Sequence, residues 1–373
     1  MMIQSHISNF KNKVNKLLAV TIVLFIAASC SSNKQTVQPC ELDLQSIMQQ
    51  VPESAKFIND SFYIWGGSLV KSHLDEKYHL FYSRWPRELG MNAWVTHSEI
   101  AHAVSDSPFG PFEFKNIVLP VRGKEYWDGL VTHNPTIHYF NGNYYLYYMG
   151  NTGDGQANIN GLNWTHRNNQ RIGIAIADSP NGPWERFSKP LIDVSPDSLA
   201  HDALMVSNPS VTKMPNDKYL IDYKAVAKKG NMPFGGPVVH LTATANSPAG
   251  PFVKQMEPVF TEQGFDFPAE DPFVWYKDKC YYAIVKDMNG AFTNAGRSLA
   301  LFCSEDGLNW KKASHPLVSK LEIEWENGKK QKVIALERPQ LFFENGEMVA
   351  LLCAVNVTMD HSFNVQIPLL KKK

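Results

Sequence analysis

Two residue pairs stand where carboxylates could do chemistry. Glu270-Asp271 and Glu337-Arg338 each lie directly before a proline, Pro272 and Pro339, and each opens an apolar run. Two further runs open the same way, with His133-Asn134 before Pro135 and Ser207-Asn208 before Pro209. A fifth has Trp65-Gly66 before Gly67. Carboxylates gathered from distant parts of a chain divide into a proton donor and a base when their surroundings push their pKa values apart. A second register lies six residues upstream, where Asp60, Asp128 and Asp202 precede Gly66, Asn134 and Asn208. Asp266 is a looser copy, five residues before Asp271. Such an Asp either caps a turn by accepting backbone N–H groups or projects as an acid–base group. Neighbours on a strand point to opposite faces, so only one of Glu270 and Asp271 is expected to face a site.

These positions are set by a repeat. Ala103-Val-Ser-Asp-Ser-Pro-Phe-Gly-Pro-Phe112 returns as Ala177-Asp-Ser-Pro-Asn-Gly-Pro-Trp184 and as Ala245-Asn-Ser-Pro-Ala-Gly-Pro-Phe252. A decayed form runs from Cys303 to Trp310. Self-similarity at roughly 70 residues marks a repeat architecture. Between the turns lie hairpin signals, the clearest being two aromatic runs flanking Asn141-Gly142. Five such units and no long helical period predict an all-β chain, a five-bladed β-propeller. In that fold the first strand of each blade lines a central funnel. The x-Pro pairs therefore converge at its mouth, since a proline suits the first residue of a strand. The stretch 51–64 is expected to add a strand to the last blade, Val349 to Pro368.

Lys and Arg number 36, as do Asp and Glu, so the net charge is zero and nothing in the charge pattern favours nucleic acid. Lys11, Lys13 and Lys16 precede an apolar run from Leu17 to Ala28, too short for an ordinary membrane span. The run ends Ala27-Ala28-Ser29-Cys30, which resembles a bacterial lipobox. The expected organisation is a lipoprotein signal peptide at 1–30 with Cys30 lipidated, a polar tether at 31–50 and the propeller at 51–373. The protein is then expected to be exported and held at the cell envelope by lipid. Cys40, Cys280, Cys303 and Cys353 show no zinc spacing; a disulfide is compatible with export, but no pair is named.

Ala269-Glu-Asp-Pro-Phe-Val-Trp-Tyr276 and Leu336-Glu-Arg-Pro-Gln-Leu-Phe342 resemble the strand openings of the five-bladed propeller glycoside hydrolases, families 32, 43 and 117. The resemblance spans about residues 57–368. The Leu-Glu-Arg-Pro-Gln-Leu run and the Phe363-to-Pro368 ending lean towards family 117. It implies exo-acting hydrolysis of a terminal sugar, such as an α-L-linked anhydro-galactose or arabinofuranose. Inversion by direct water attack is expected, with acid and base roughly 6.5–9.5 Å apart. Asp271 then orients the sugar and tunes the acid, and Glu337 or its immediate neighbour is the acid, although Leu336 stands where family 117 has a nearby His. Gly66-Gly67 replaces the first-blade Asp-Pro of families 32 and 43, so the base falls to Asp128, with Asp60 and Asp202 in reserve. Trp65 and Trp127 are candidates to stack on the sugar, with His133, Asn134, His201, Asp202, Asn208, Glu270 and Arg338 as binding groups. Each has a structural alternative, a blade-to-blade salt bridge in the case of Arg338. No cofactor is required; a cation in the channel, with His133 or His201 as ligand, is an open option. Two rivals remain, a propeller phosphorylase and a non-catalytic glycan-binding lipoprotein. The first requires several Arg, Lys or His residues in the funnel, and the second lacks an acid.

Overall fold

The computed structural model describes residues 40–158 and 161–370. The signal segment, Cys30 and tether residues 31–39 lie outside them. Among the described residues no helix is long and apolar enough to cross a membrane.

Five four-stranded antiparallel sheets follow one another along the chain. Blade 1 runs Phe62–Lys71, Tyr78–Pro86, Glu99–Ser105 and Glu113–Ile117. Blade 2 runs Val131–Phe140, Asn143–Asn151, Arg171–Ala177 and Glu185–Arg186. Blade 3 runs Met205–Lys213, Tyr219–Val226, Val238–Ala245 and Val253–Val259. Blade 4 runs Ala269–Lys277, Cys280–Asp287, Ser298–Ser304 and Lys311–Lys320. Blade 5 takes Ala335–Glu344, Glu347–Thr358 and His361–Pro368, and the early strand Lys56–Phe57 pairs with the last of these. Each inner strand contacts the inner strands of both neighbouring blades, so the ring is closed. The fold is a five-bladed β-propeller, closed by the N-terminal stretch as the sequence leads one to expect.

Every inner strand breaks its register at the same place. The shifts fall between Trp65 and Ser68, His133 and Thr136, Ser207 and Ser210, Glu270 and Phe273, and Glu337 and Gln340. At each bulge one residue is left-handed: Gly66, Asn134, Asn208, Asp271 and Arg338, with φ of 57°, 52°, 54°, 54° and 51°. Gly, Asn and Asp tolerate this conformation best. The proline that follows four of them disfavours right-handed helical backbone in the residue before it. It also needs no N–H partner in the gap of the ladder.

Residues 40–50, expected within the tether, are part of the fold. Leu42, Leu44 and Ile47 are buried with Trp325 and Phe363 between blades 4 and 5. Cys40 is disulfide-bonded to Cys303. The segment carries apolar residues at short intervals that a solvated tether would not need.

The Asp residues upstream of the bulges serve the scaffold in blades 2 and 3. Asp128 is fully buried, accepts from Arg122 Nε at 2.7 Å and from the Tyr148 hydroxyl at 2.6 Å, and pairs with Arg186 at 3.5 Å. Asp202 repeats the device with Lys254 at 2.5 Å and Tyr223 at 3.5 Å. Both lock the entry of an inner strand to the second and fourth strands of its blade. Asp60 is exposed at the start of blade 1.

Reducing the Cys40–Cys303 bond, which spans 263 residues of sequence, should lower stability by about 2–4 kcal/mol, seen as a lower melting temperature with reductant. Asp128→Asn should cost about 3–5 kcal/mol in urea unfolding, because Arg122 and Arg186 lose their buried counter-charge. Wild-type stability with lost turnover would instead restore Asp128 as a catalytic group.

Candidate functional site

In an antiparallel blade, the start of the first strand and the loop joining the second to the third lie at the same end. That end carries a cavity of about 350 Å³. Its floor is built by the residues at the five bulges. The residue before each left-handed position lines it: Trp65, His133, Ser207, Glu270 and Glu337. The left-handed side chains turn towards the axis and bond to one another. Asn134 Nδ2 donates to Asn208 Oδ1 at 2.8 Å, and Asn208 Nδ2 donates to Asp271 Oδ1 at 2.6 Å. The Arg338 backbone N–H donates to Asp271 Oδ2 at 3.2 Å, and its guanidinium lies 3.7 Å from Oδ1. Asp271 is thus tied into an inter-blade ring beneath the cavity, and Arg338 is the blade-to-blade partner that its structural alternative anticipates.

The bulge changes the expectation for Glu270 and Asp271. Strict alternation would let one of them face the site, but the extra residue lets both line it. Glu270 is the more open of the two. It accepts from Lys224 Nζ at 2.5 Å and from Lys286 Nζ at 3.3 Å. Lys286 also binds Glu337 Oε1. One ammonium therefore bridges two carboxylates from adjacent blades, which places their nearest oxygens within about 6 Å of each other.

This arrangement makes the carboxylates unequal. Burial opposes ionisation of Glu270, yet Lys224 and Lys286 outweigh it and hold its pKa far below the ordinary range. Burial pushes Glu337 up; Lys286 pulls against it, and the negative charges of Glu270 and Asp271 add to the rise. Asp271 is also raised, by burial and then by Glu270. His133 is buried and pushed down to about 3, so it is a neutral imidazole. Its Nδ1 meets the Ser98 hydroxyl at 2.7 Å, and its ring stacks on Trp94 at 5.0 Å.

The wall comes from the loops between second and third strands. Met91 and Trp94 come from blade 1, Leu162, Trp164, Arg167 and Gln170 from blade 2, and Phe234 from blade 3. Phe267 enters from the segment before blade 4. Trp85 Nε1, Gln170 Nε2 and Asn356 Oδ1 are buried in the lining without a protein hydrogen-bond partner. Such atoms call for a polar partner.

Of the residues singled out from the sequence, Trp65, His133, Asn134, Asn208, Glu270, Asp271 and Glu337 meet here, and Arg338 lies against them. Asp128, Trp127, Asp202, His201 and Asp60 do not line the cavity. Trp127 packs on Tyr148 at 5.9 Å inside blade 2. His133 and His201 do not converge, and among the described residues no three His, Cys, Asp or Glu side chains gather as metal ligands. Lys286 and the aromatic wall escaped the sequence reading. Lys286 had one signal, a lone cation in the apolar strand Cys280–Asp287, paired directly opposite Glu270. Lys224 holds the matching place in blade 3, opposite Ser207.

No protein-family model matches the chain, and no curated protein sequence does. Solved structures match its shape. A family 117 glycoside hydrolase from the marine bacterium Zobellia galactanivorans aligns with a TM-score of 0.59 and 18% identity, over 86% of this chain and 89% of that one. A thermostable family 43 glycoside hydrolase gives 0.58 and 14%, over 88% and 93%. An α-L-arabinofuranosidase from Lactobacillus brevis gives 0.53 and 12%, over 87% and 94%. At these identities the likeness establishes the fold, a five-bladed β-propeller whose funnel holds the cavity described above.

Proposed function

We propose that the protein is a glycoside hydrolase that removes a terminal sugar from a saccharide chain. The observation that carries this reading is the pair Glu270 and Glu337, bridged by Lys286 and pushed to opposite proton affinities. Bond cleavage needs a proton on the leaving oxygen and negative charge near the anomeric carbon. Glu337, whose proton affinity burial raises, is the better placed of the two to donate for the first task. Glu270, held ionised by two lysines, serves the second. The pair lies within about 6 Å, closer than the roughly 6.5–9.5 Å expected for inversion, which favours Glu270 as a nucleophile and retention over direct water attack. Asp271 sits beneath both and resists ionisation of Glu337. The cavity volume falls in the small-molecule range of roughly 300–1,000 Å³, which favours an end of a chain over its middle. Aromatic faces and unpaired polar atoms in the wall suit a sugar's apolar face and hydroxyls. Glycoside hydrolases among the similar folds support the same reading.

Lys224 and Lys286 are both engaged by carboxylates, which favours water over phosphate as the acceptor. Three carboxylates in the lining speak against a purely binding role. The protein is further proposed to be an exported lipoprotein anchored through Cys30. The lipobox-like Ala27-Ala28-Ser29-Cys30 supports this, as does a disulfide, since such bonds persist in oxidising compartments.

A hydrolysis screen over oligosaccharides, run with and without phosphate, tests the activity. Glu337→Gln should reduce kcat by about 10²- to 10⁴-fold while the melting temperature stays near that of the wild type. Full turnover in that variant would remove Glu337 from the mechanism. The pH profile of kcat/KM should be a bell. Its alkaline limb reports loss of the Glu337 proton and lies above the ordinary carboxylate range, because burial raises that group. Its acid limb reports protonation of Glu270 and lies well below that range.

A further inference from the structure

We propose that the sugar held in this cavity carries an oxyanion, a carboxylate or a sulfate ester, and that Arg167 binds it. The inference rests on reading the cavity as a sugar site. Arg167 stands on the short helix Trp164–Asn168, in the loop between the second and third strands of blade 2. It is only 4% exposed and lines the cavity wall. Its Nη1 donates to the Phe234 carbonyl at 2.7 Å and to Asn168 Oδ1 at 2.9 Å. Its Nε and Nη2 make no hydrogen bond among the described residues, and no carboxylate there lies within ion-pair distance of it. Lys224, the other cation in the lining, is satisfied by Glu270. A buried charge without a partner is costly, by several kcal/mol. A scaffold that keeps one in a cavity wall holds it for a ligand charge.

The guanidinium is also held in place. It lies 4.9 Å from the Phe234 ring centre and 5.6 Å from that of Trp164, so two aromatic faces fix its plane. The helix beneath it is pinned by His166. That residue's Nδ1 meets Asn151 Oδ1 at 2.7 Å, and its Nε2 accepts from the Gly155 N–H at 3.1 Å. Asn163 caps the helix by accepting from the His166 N–H at 3.1 Å. Gly153 leaves room for the imidazole, which a Cβ there would meet at 2.4 Å. Nε and Nη2 form one edge of the planar fork, and two parallel N–H groups match two oxygens of a carboxylate or sulfate. Burial lowers the Arg167 pKa to about 10, which leaves it charged at neutral pH. Glu270 and Arg167 feel each other's field without touching, so Glu270 leaves the open edge of the guanidinium to a ligand.

Calorimetric titration of the wild-type protein with uronic acids, their methyl esters, the neutral parent sugars, sugar sulfates and inorganic phosphate tests the proposal. At least one anionic sugar should bind about 10- to 100-fold more tightly than its neutral parent or its ester. Arg167→Met should erase that difference, while Arg167→Lys should keep part of it. Uronates and sulfates that differ separate the two sources of the oxyanion. Equal binding of charged and neutral sugars, or an intact preference in Arg167→Met, overturns the proposal. So does Arg167-dependent binding of inorganic phosphate alone. The ester comparison needs no variant, so it stands even if Arg167→Met unfolds. Binding of neutral sugars without any anionic preference sinks this inference alone, whereas no binding of any sugar sinks the reading of the cavity beneath it as well.

Discussion

The site depends on a backbone constraint repeated five times. Each inner strand must place one residue in the left-handed region just inside the funnel. That conformation disfavours most L-residues by roughly 1–2 kcal/mol, so it is kept by the ring of contacts it creates. Asn134, Asn208, Asp271 and Arg338 are joined side chain to side chain or side chain to backbone around the axis. Further bonds cross the blades nearby, from Ile137 N–H to Ser68, Thr136 to the Pro209 carbonyl and Val274 N–H to Ser210. The same bulge turns the preceding residue up into the cavity. Scaffold and chemistry are therefore adjacent in sequence and separated only by the pleat that the bulge resets.

The electrostatics follow from that placement. Blades 4 and 5 each raise a glutamate to the cavity floor, close enough to share one lysine. Without Lys286 the two would repel, and burial would push both towards the neutral acid. With Lys286 between them and Lys224 on one flank only, the symmetry is lost. Glu270 has two cations and stays charged, whereas Glu337 has one and faces two other acids. A difference in proton affinity between two identical side chains is thus set by a lysine on the second strand of blade 3.

The repeat was legible because it is local. Ser-Pro-x-Gly-Pro turns, Asn-Gly hairpins and x-Pro openings each need only a few neighbouring residues, and they phase the chain correctly. The positions that converge on the funnel follow from that phase, which is why Trp65, His133, Glu270 and Glu337 could be named. Asp128 marks the limit of spacing as a guide. Its spacing matches Asp202, but spacing records a shared structural task as readily as a shared chemical one. The partners that reveal the task, Arg122, Tyr148 and Arg186, come from elsewhere in the blade. The wall escaped for a different reason. Trp94, Trp164, Arg167 and Phe234 sit in loops that are not repeated between blades, so no internal comparison marks them. The packed segment at 40–50 was hidden likewise, since Cys40 finds its partner 263 residues away in blade 4.

The first blade makes room for Arg338 in the ring. Gly66 stands at the left-handed position where other blades carry a side chain. A Cβ there would lie 3.3 Å from Asn134 Oδ1 and 3.5 Å from Arg338 Cγ. The space is already filled by the side chains of blades 2 and 5. At Gly67 a Cβ would meet Asn364 Nδ2 and Leu80 Cδ1 at 2.9 Å. A larger side chain at Gly66 would crowd Asn134 and Arg338, whose guanidinium lies beside Asp271. The carboxylates that line the cavity come from blades 4 and 5. The bare backbone of blade 1 leaves the ring its place for Arg338 as the neighbour of Asp271.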